Sequence, residues 1–181
     1  AFNNGIAAGN YMGCKGSGML GAGMAKHAVT FIDNHDTFLR DQNEFGGLGN
    51  SMKPYMQDKL LQANAFLLGM PGVPCVFYPH WVAHKAAIKD MINARHLAGV
   101  HSESPVSNED ATNDGYQCTV RGKNGYLILC LGNKAGNTFD GYTRVAYGNG
   151  YPMWVQAEGA VAPGLIVTPS QTFEDSIAGI N

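Results

Sequence analysis

The sequence has few charged residues and no long run of either charged or apolar ones. Of its 181 residues, 12 are Lys or Arg and 14 are Asp or Glu, which gives a formal net charge of −2. A near-neutral chain without a basic cluster argues against nucleic acid or an anionic membrane surface as the main partner. No apolar stretch approaches the ~20 residues of a transmembrane helix, so we predict no membrane span.

Several short signals are also missing. The first residues, AFNNGIAAGN, lack the charged and apolar regions of a signal peptide and an initiator Met, so we expect the true amino terminus to lie upstream. The four cysteines show no CxxC pair and no zinc-like His spacing, which leaves a metal site unsupported. Cys118 and Cys130 flank a predicted hairpin turn and could face each other, but we favour buried free thiols. The cysteines therefore do not indicate the cellular compartment of the protein.

Glycine is abundant, and much of it lies near the start of the chain. Residues 1–27 are glycine-rich, which predicts a connecting loop because glycine costs conformational entropy in helices and strands. This segment contains a formal GxGxxG match, Gly16 to Gly21. No strand precedes the match as a dinucleotide site requires, so we interpret it as chance in a chain with 24 glycines.

Residues 28–101 alternate between strand and helix patterns. The β-branched run in AVTFIDNHDT predicts a strand covered on both faces, and QDKLLQANAFLLGM predicts a helix. A second strand, GVPCVFYPHW, precedes a second helical pattern, HKAAIKDMINARHLAGV. We therefore predict two parallel strands joined by crossover helices, with polar residues collected at the carboxyl edge.

The pattern changes at the HSESP segment. From residue 102 onwards, short alternating or apolar runs such as GYQCTVRGKNGYLILCLGN are separated by Gly, Asn and Asp turns. This arrangement predicts an antiparallel β domain over residues 102–181, so the fold class is α/β plus β.

Three stretches carry a resemblance to a known family. FIDNHD, GVPCVFYPHW and INARHLAGVHSESPV, in this order and spacing, resemble the end of an α-amylase of glycoside hydrolase family thirteen, most closely the plant-like and related bacterial type. The resemblance covers most of the chain. It implies that residues 28–101 are the last two β/α units of a (β/α)8 TIM barrel and that residues 102–181 are the antiparallel domain C.

The same resemblance suggests roles for residues at the end of the first strand. It implies that Asp36 is the family's third carboxylate, which stabilises the distorted sugar at the cleavage point, and that His35 contacts hydroxyls of the same sugar. Fixed negative charge suits the oxocarbenium-like transition state of a retaining hydrolase. Asp33 and Asn34 are better explained by local hydrogen bonds, to the neighbouring strand or within a turn.

Other polar and aromatic residues give weaker site predictions. His80 and Trp81 close the second strand, where they would bind substrate or, as an equal alternative, pack under a loop. Arg40, Asp41 and Glu44 follow the motif, and charged loop residues are usually only solvated. Aromatic residues of the β domain suggest either a secondary starch-binding surface or, in the favoured interpretation, core packing: Tyr142, Tyr147, Tyr151 and Trp154.

The resemblance also implies that essential parts lie elsewhere. The family's nucleophile, its acid/base and its calcium ligands lie upstream, so we expect Ca²⁺ in the full-length parent but no metal ligand in this chain. The predicted function is part of an α-amylase acting on α-1,4-glucans such as starch or maltooligosaccharides, completed by a missing N-terminal barrel portion and inactive alone. A secreted or periplasmic location is favoured for such a parent. The alternative is a non-catalytic carbohydrate-binding or structural module.

Overall fold

The computed structural model describes residues 2–16, 23–35 and 59–162. Helix α1 spans Leu60–Gly69, as predicted, and its residues from 62 to 69 are all buried. Helix α2 spans Tyr78–Ala98 and ends at Gly99, whose φ of 70° lies in the left-handed region that favours glycine. None of the helices in this described part is long and apolar enough to cross a membrane.

Helix α2 begins earlier than its sequence pattern predicts. Its backbone is non-helical at His84, so a short helical segment from Tyr78 precedes a kink, and the predicted helix follows it. Pro79 lies in the first turn, where a missing N–H removes no intrahelical bond. The second predicted strand is therefore wrong over its last residues, because His80 and Trp81 belong to the helix.

Two short strands pair in parallel, as predicted. Strand β1 spans Val29–Thr30 and strand β2 spans Val73–Pro74. In the described ranges these strands form a two-stranded sheet, and the paired residues Val29 and Val73 are 64% and 48% exposed, so one face of the pair is open there. The expectation that both faces of β1 are covered in the parent protein stays a prediction.

The described residues of the glycine-rich start of the chain contain short helical turns. These are a π-helical turn at Phe2–Ala7 and 3₁₀ turns at Tyr11–Cys14 and Ala25–His27. The Tyr11 hydroxyl donates to Gln62 Oε1 of α1 at 2.5 Å, and both side chains are buried. Burial of this anchor offsets the entropic cost of the neighbouring glycines.

Residues 106–156 form a five-stranded antiparallel sheet, as predicted. The strand bounds are Val106–Ala111 for β3, Gly115–Arg121 for β4, Tyr126–Gly132 for β5, Thr143–Gly148 for β6 and Tyr151–Gln156 for β7. The strand order in the sheet is β3-β4-β5-β7-β6. The last part of the predicted β domain, residues 163–181, lies outside the described residues.

The register of β4 and β5 shows whether Cys118 and Cys130 face each other. Cys118 is opposite Leu129, whereas Cys130 is opposite Gln117. Directly opposed residues share a face and neighbours along a strand alternate, so the two thiols point to opposite faces of the sheet. All four cysteines are free; Cys75 is exposed, and the buried ones are Cys14, Cys118 and Cys130.

The helices and the sheet share one hydrophobic core. Residues 127 to 131 of β5 are all buried, and Leu127 and Leu129, which share one face of the strand, lie close to Gly69 of α1. The sheet therefore packs directly on the helices, and the predicted boundary between residues 101 and 102 separates segments that bury a common core.

The turn between β4 and β5 also docks on the end of α2. Lys123 N donates to Gly99 O at 3.0 Å, and Asn124 N donates to Ala98 O at 3.1 Å. These bonds satisfy carbonyl groups that a helix end otherwise leaves without partners.

Candidate functional site

A buried pair of side chains joins the segment after β1 to the first turn of α2. His80 Nε2 lies 3.0 Å from Asp33 Oδ2. The side chain of His80 is 2% exposed and that of Asp33 is 11% exposed. Because burying a polar group without a partner costs free energy, the contact between the two side chains offsets the cost of their burial.

The local fold explains why His80 reaches Asp33. The helix begins after Phe77, whose carbonyl accepts the amide of His80 at 3.0 Å. The Phe77 ring also meets the imidazole edge-on, with centroids 5.3 Å apart. The first turn of α2 thus fixes the imidazole on one side while Asp33 contacts it on another.

This geometry bears on two of the residue interpretations. Asp33 has a long-range partner that the local interpretation did not include, His80 of a helix 47 residues away. The side chain of His80 is 2% exposed, which agrees with its packing alternative, and its contact with substrate stays a prediction.

The parallel pairing of β1 and β2 sets the edge where the motif emerges. Val73 N donates to Ala28 O at 2.9 Å, and Cys75 N donates to Thr30 O at 2.7 Å. The carboxyl ends of parallel strands meet at one edge of a sheet. The segment that continues into Asp33, Asn34 and His35 therefore emerges beside the start of α2.

His35 is exposed at the end of the described motif. Asp36, the residue expected to stabilise the transition state, lies outside the described residues, as do Arg40, Asp41 and Glu44. Their predicted roles stay predictions. What the structure supplies is the position of the three residues that precede Asp36.

Trp81 follows His80 on the helix but has a different environment. It is partly buried against the hydrophobic core, and Lys85 Nζ lies 5.8 Å from its ring centroid. These contacts match the packing alternative for Trp81, while its direct binding of substrate stays a prediction.

The aromatic residues of the β domain separate into two environments. Tyr151 is 1% exposed and belongs to the core, whereas Tyr147 is 52% exposed. The guanidinium carbon of Arg144 lies 4.2 Å from the Tyr147 ring centroid and 5.7 Å from that of Trp154. The exposed ring of Tyr147 and the half-buried ring of Trp154 thus both have the Arg144 guanidinium as a cationic partner.

Arg95 is a buried residue whose role the helical pattern did not predict. The residue is 7% exposed, and its guanidinium donates to the carbonyls of Leu68, Met70 and Gly72 at 2.8, 2.7 and 3.0 Å. Burial lowers the pKa of Arg95 to about 10, so the group stays charged near neutral pH. Arg95 fixes the end of α1 and the start of β2 onto α2.

The three buried cysteines lack the features of a reactive thiol. Burial raises the pKa values of Cys14, Cys118 and Cys130 to about 12. A reactive cysteine needs a lowered pKa and access to solvent. Within the described ranges, no group of three or more His, Cys, Asp or Glu side chains is arranged to hold a metal ion.

Comparison with known proteins identifies the family. No family model matches the chain. The alpha-amylase type B isozyme of Hordeum vulgare is 34% identical over 145 residues, which are 77% of this chain and 86% of that protein. The chain belongs to the α-amylase family. The predicted resemblance to a carboxyl-terminal part of a family-thirteen α-amylase is confirmed, and the family consists of glycoside hydrolases.

Two further amylase relatives are much longer than the matched region. The glucan 1,4-alpha-maltotetraohydrolase of Stutzerimonas stutzeri is 36% identical over 61% of this chain and 20% of its own length. The probable alpha-amylase 2 of Arabidopsis thaliana is 33% identical over 51% of this chain and 21% of its own length. The chain thus matches about a fifth of each of these two relatives.

Proposed function

We propose that the chain is part of a retaining α-1,4-glucan hydrolase and supplies the third carboxylate of its active site, Asp36. The observation that carries the proposal is the exit of residues 32–35, the described part of the IDNHD motif (residues 32–36), at the carboxyl edge of a parallel strand pair. That edge is where (β/α) barrels place their chemistry. The amylase relatives support the same substrate class, starch-like α-glucans, and do not favour the non-catalytic module.

The proposal assigns the secondary structure to two parts of the parent enzyme. In it, β1, α1, β2 and α2 are the last two β/α units of the TIM barrel, and strands β3 to β7 form domain C. The open face of β1 and β2 agrees with strands that belong to a larger barrel, because a closed barrel covers both faces of every strand.

The proposed chemistry needs Asp36 to act through its charge. Retaining glycosidases use one carboxylate as nucleophile and one carboxylic acid as proton donor, and the sugar distorts as positive charge develops. In this proposal both of those groups belong to the missing N-terminal barrel portion. Asp36 contacts the sugar hydroxyls and stabilises the developing charge, and the exposed His35 contacts a neighbouring hydroxyl.

The test is Asp36→Asn in the full-length parent enzyme. The substitution keeps the shape of the side chain and removes its charge, so kcat on soluble starch should fall by about 10²–10³-fold while KM changes less. Thermal unfolding should stay close to that of the unmodified enzyme. The matched control is Asp140→Asn, an exposed carboxylate in the β domain, which should keep full activity. Near-normal turnover in Asp36→Asn would refute the assignment.

A further inference from the structure

The contact between Asp33 and His80 lies where regular backbone pairing has stopped. Within the described part of the chain, the β1–β2 ladder ends with the bond from Cys75 N to Thr30 O. Residues 31–35 follow the paired residues of β1, and the 3.0 Å contact of Asp33 with His80 joins this segment to α2.

The partner of Asp33 stands on a firm support. His80 lies in the short helical segment before the kink at His84, and Phe77 holds it there: the backbone N of His80 donates to Phe77 O at 3.0 Å, and the two ring centroids are 5.3 Å apart. After the kink, Arg95 fixes the helix to the end of α1 through buried hydrogen bonds. Groups held by packed helices position a site more accurately than groups held by loops.

Stability alone does not explain why this contact is polar. A buried ionic or polar pair usually gains little over well-packed apolar residues of similar volume, because both groups must be desolvated. What a buried pair adds is a directional contact that fixes one arrangement of two elements. Here the fixed element is the segment that leads to Asp36.

Asp33 lies close to Asp36 along the chain, so a change in the position of Asp33 can shift Asp36. Asp36 lies three positions after Asp33, so an extended chain would span at most about 11 Å between their Cα atoms. His35 lies between them and is exposed. A displacement of about 1 Å at a positioned group can cost roughly 10²-fold in rate.

We propose that Asp33 and His80 are positioning residues for catalysis: they anchor the IDNHD segment on α2 so that His35 and Asp36 meet the sugar in the correct place. This inference rests on the proposed function, in which Asp36 acts on the substrate. It assigns neither Asp33 nor His80 a contact with the substrate itself.

The experiment is a double-mutant cycle in the full-length enzyme, with His80→Leu, Asp33→Asn and the combined variant. Either single substitution should lower kcat on a maltooligosaccharide by about 10²-fold with a smaller change in KM. The double variant should be no worse than the more impaired single one, because both remove the same contact. His80→Gln, which keeps a donor for the carboxylate, should recover part of the loss. His96→Leu, at an exposed histidine of the same helix, is the control.

Amide hydrogen exchange of the same variants separates positioning from general destabilisation. Peptides covering residues 31–35 should exchange faster in His80→Leu, while peptides from β4 and β5 should keep the normal rate. Loss of kcat without local exchange, exchange that accelerates throughout the chain, or additive effects in the cycle would each overturn the positioning role. If His80→Leu does not fold, His80→Gln and Asp33→Asn carry the cycle.

Asp36→Asn measured in parallel distinguishes the two hypotheses. If Asp36→Asn is inactive and the His80 variants are fully active with normal exchange, the positioning role fails and the proposed function stands. If Asp36→Asn is fully active, the proposed function fails, and the positioning role that rests on it fails as well.

Discussion

Replacing Arg95 by Met should be among the most damaging substitutions in this chain. Met fills a similar volume and stays apolar, but it cannot donate to the carbonyls of Leu68, Met70 and Gly72. Two of these carbonyls lie at the end of α1, where helical carbonyls lack partners within the helix. The substitution thus leaves three buried acceptors without their donor.

The magnitude follows from opposing contributions. Hydrogen bonds to a charged group contribute about 1.5–3 kcal/mol each, and desolvation of the guanidinium offsets several kcal/mol of that total. The difference predicts that Arg95→Met lowers the free energy of unfolding by about 3–5 kcal/mol, the range observed when one partner of a buried charged contact is removed. Arg95→Lys should cost less, because Lys keeps a charge but loses the planar fork of donors.

Urea unfolding followed by circular dichroism measures this difference, with Arg121→Met at an exposed position as the control. The folded-state pKa of Arg95, about 10, lies below its ordinary value of 12.5. Below pH ~9 the group is protonated in both states, so the loss should be the same at pH 6 and pH 8; any pH dependence would begin only above the folded pKa. An Arg95→Met chain as stable as Arg121→Met would refute this account of the three bonds.

Two further substitution and labelling experiments test the packing. Gly122→Ala should destabilise the chain by about 1–3 kcal/mol, because a Cβ there would overlap the backbone carbonyl of Ala98, whereas Gly136→Ala, which meets open space, should be close to neutral in thermal unfolding. A chromogenic disulfide reagent at pH 8 should modify Cys75 alone in the folded chain, since the three buried thiols have pKa values of about 12, and all four after unfolding. Rapid labelling of more than one thiol in the native state would contradict the described burial.

Periodicity and turn residues predicted much of the fold. The leucines of α1 and the Gly and Asn turns of the antiparallel sheet identify elements from local pattern alone, and the strand–helix–strand order predicts the parallel pairing of β1 and β2. The start of α2 was missed because a β-branched and aromatic run before Pro79 favours a strand. Tertiary packing and the contact of His80 with Asp33 decide otherwise.

The candidate site was predicted only as a motif. The sequence places His35 and Asp36 at a strand end, but no spacing rule connects Asp33 with a histidine 47 residues later. Arg95 was equally hidden, because an arginine in a helix is normally solvated and its three carbonyl partners become visible only when the chain is folded. Long-range polar contacts of this kind carry no local sequence signature.

The docked turn between β4 and β5 limits where this protein can change in length. Residues 122–125 serve as the cap of α2, so an inserted peptide there would remove bonds to Ala98 and Gly99 as well as lengthen a loop. Among the described residues, the 3₁₀ turn Asn133–Gly136 donates no backbone hydrogen bond to the end of α2. Affinity tags, fluorescent labels or inserted domains are therefore better placed at the second turn, and insertions accumulated during evolution should be found there more often than at the first.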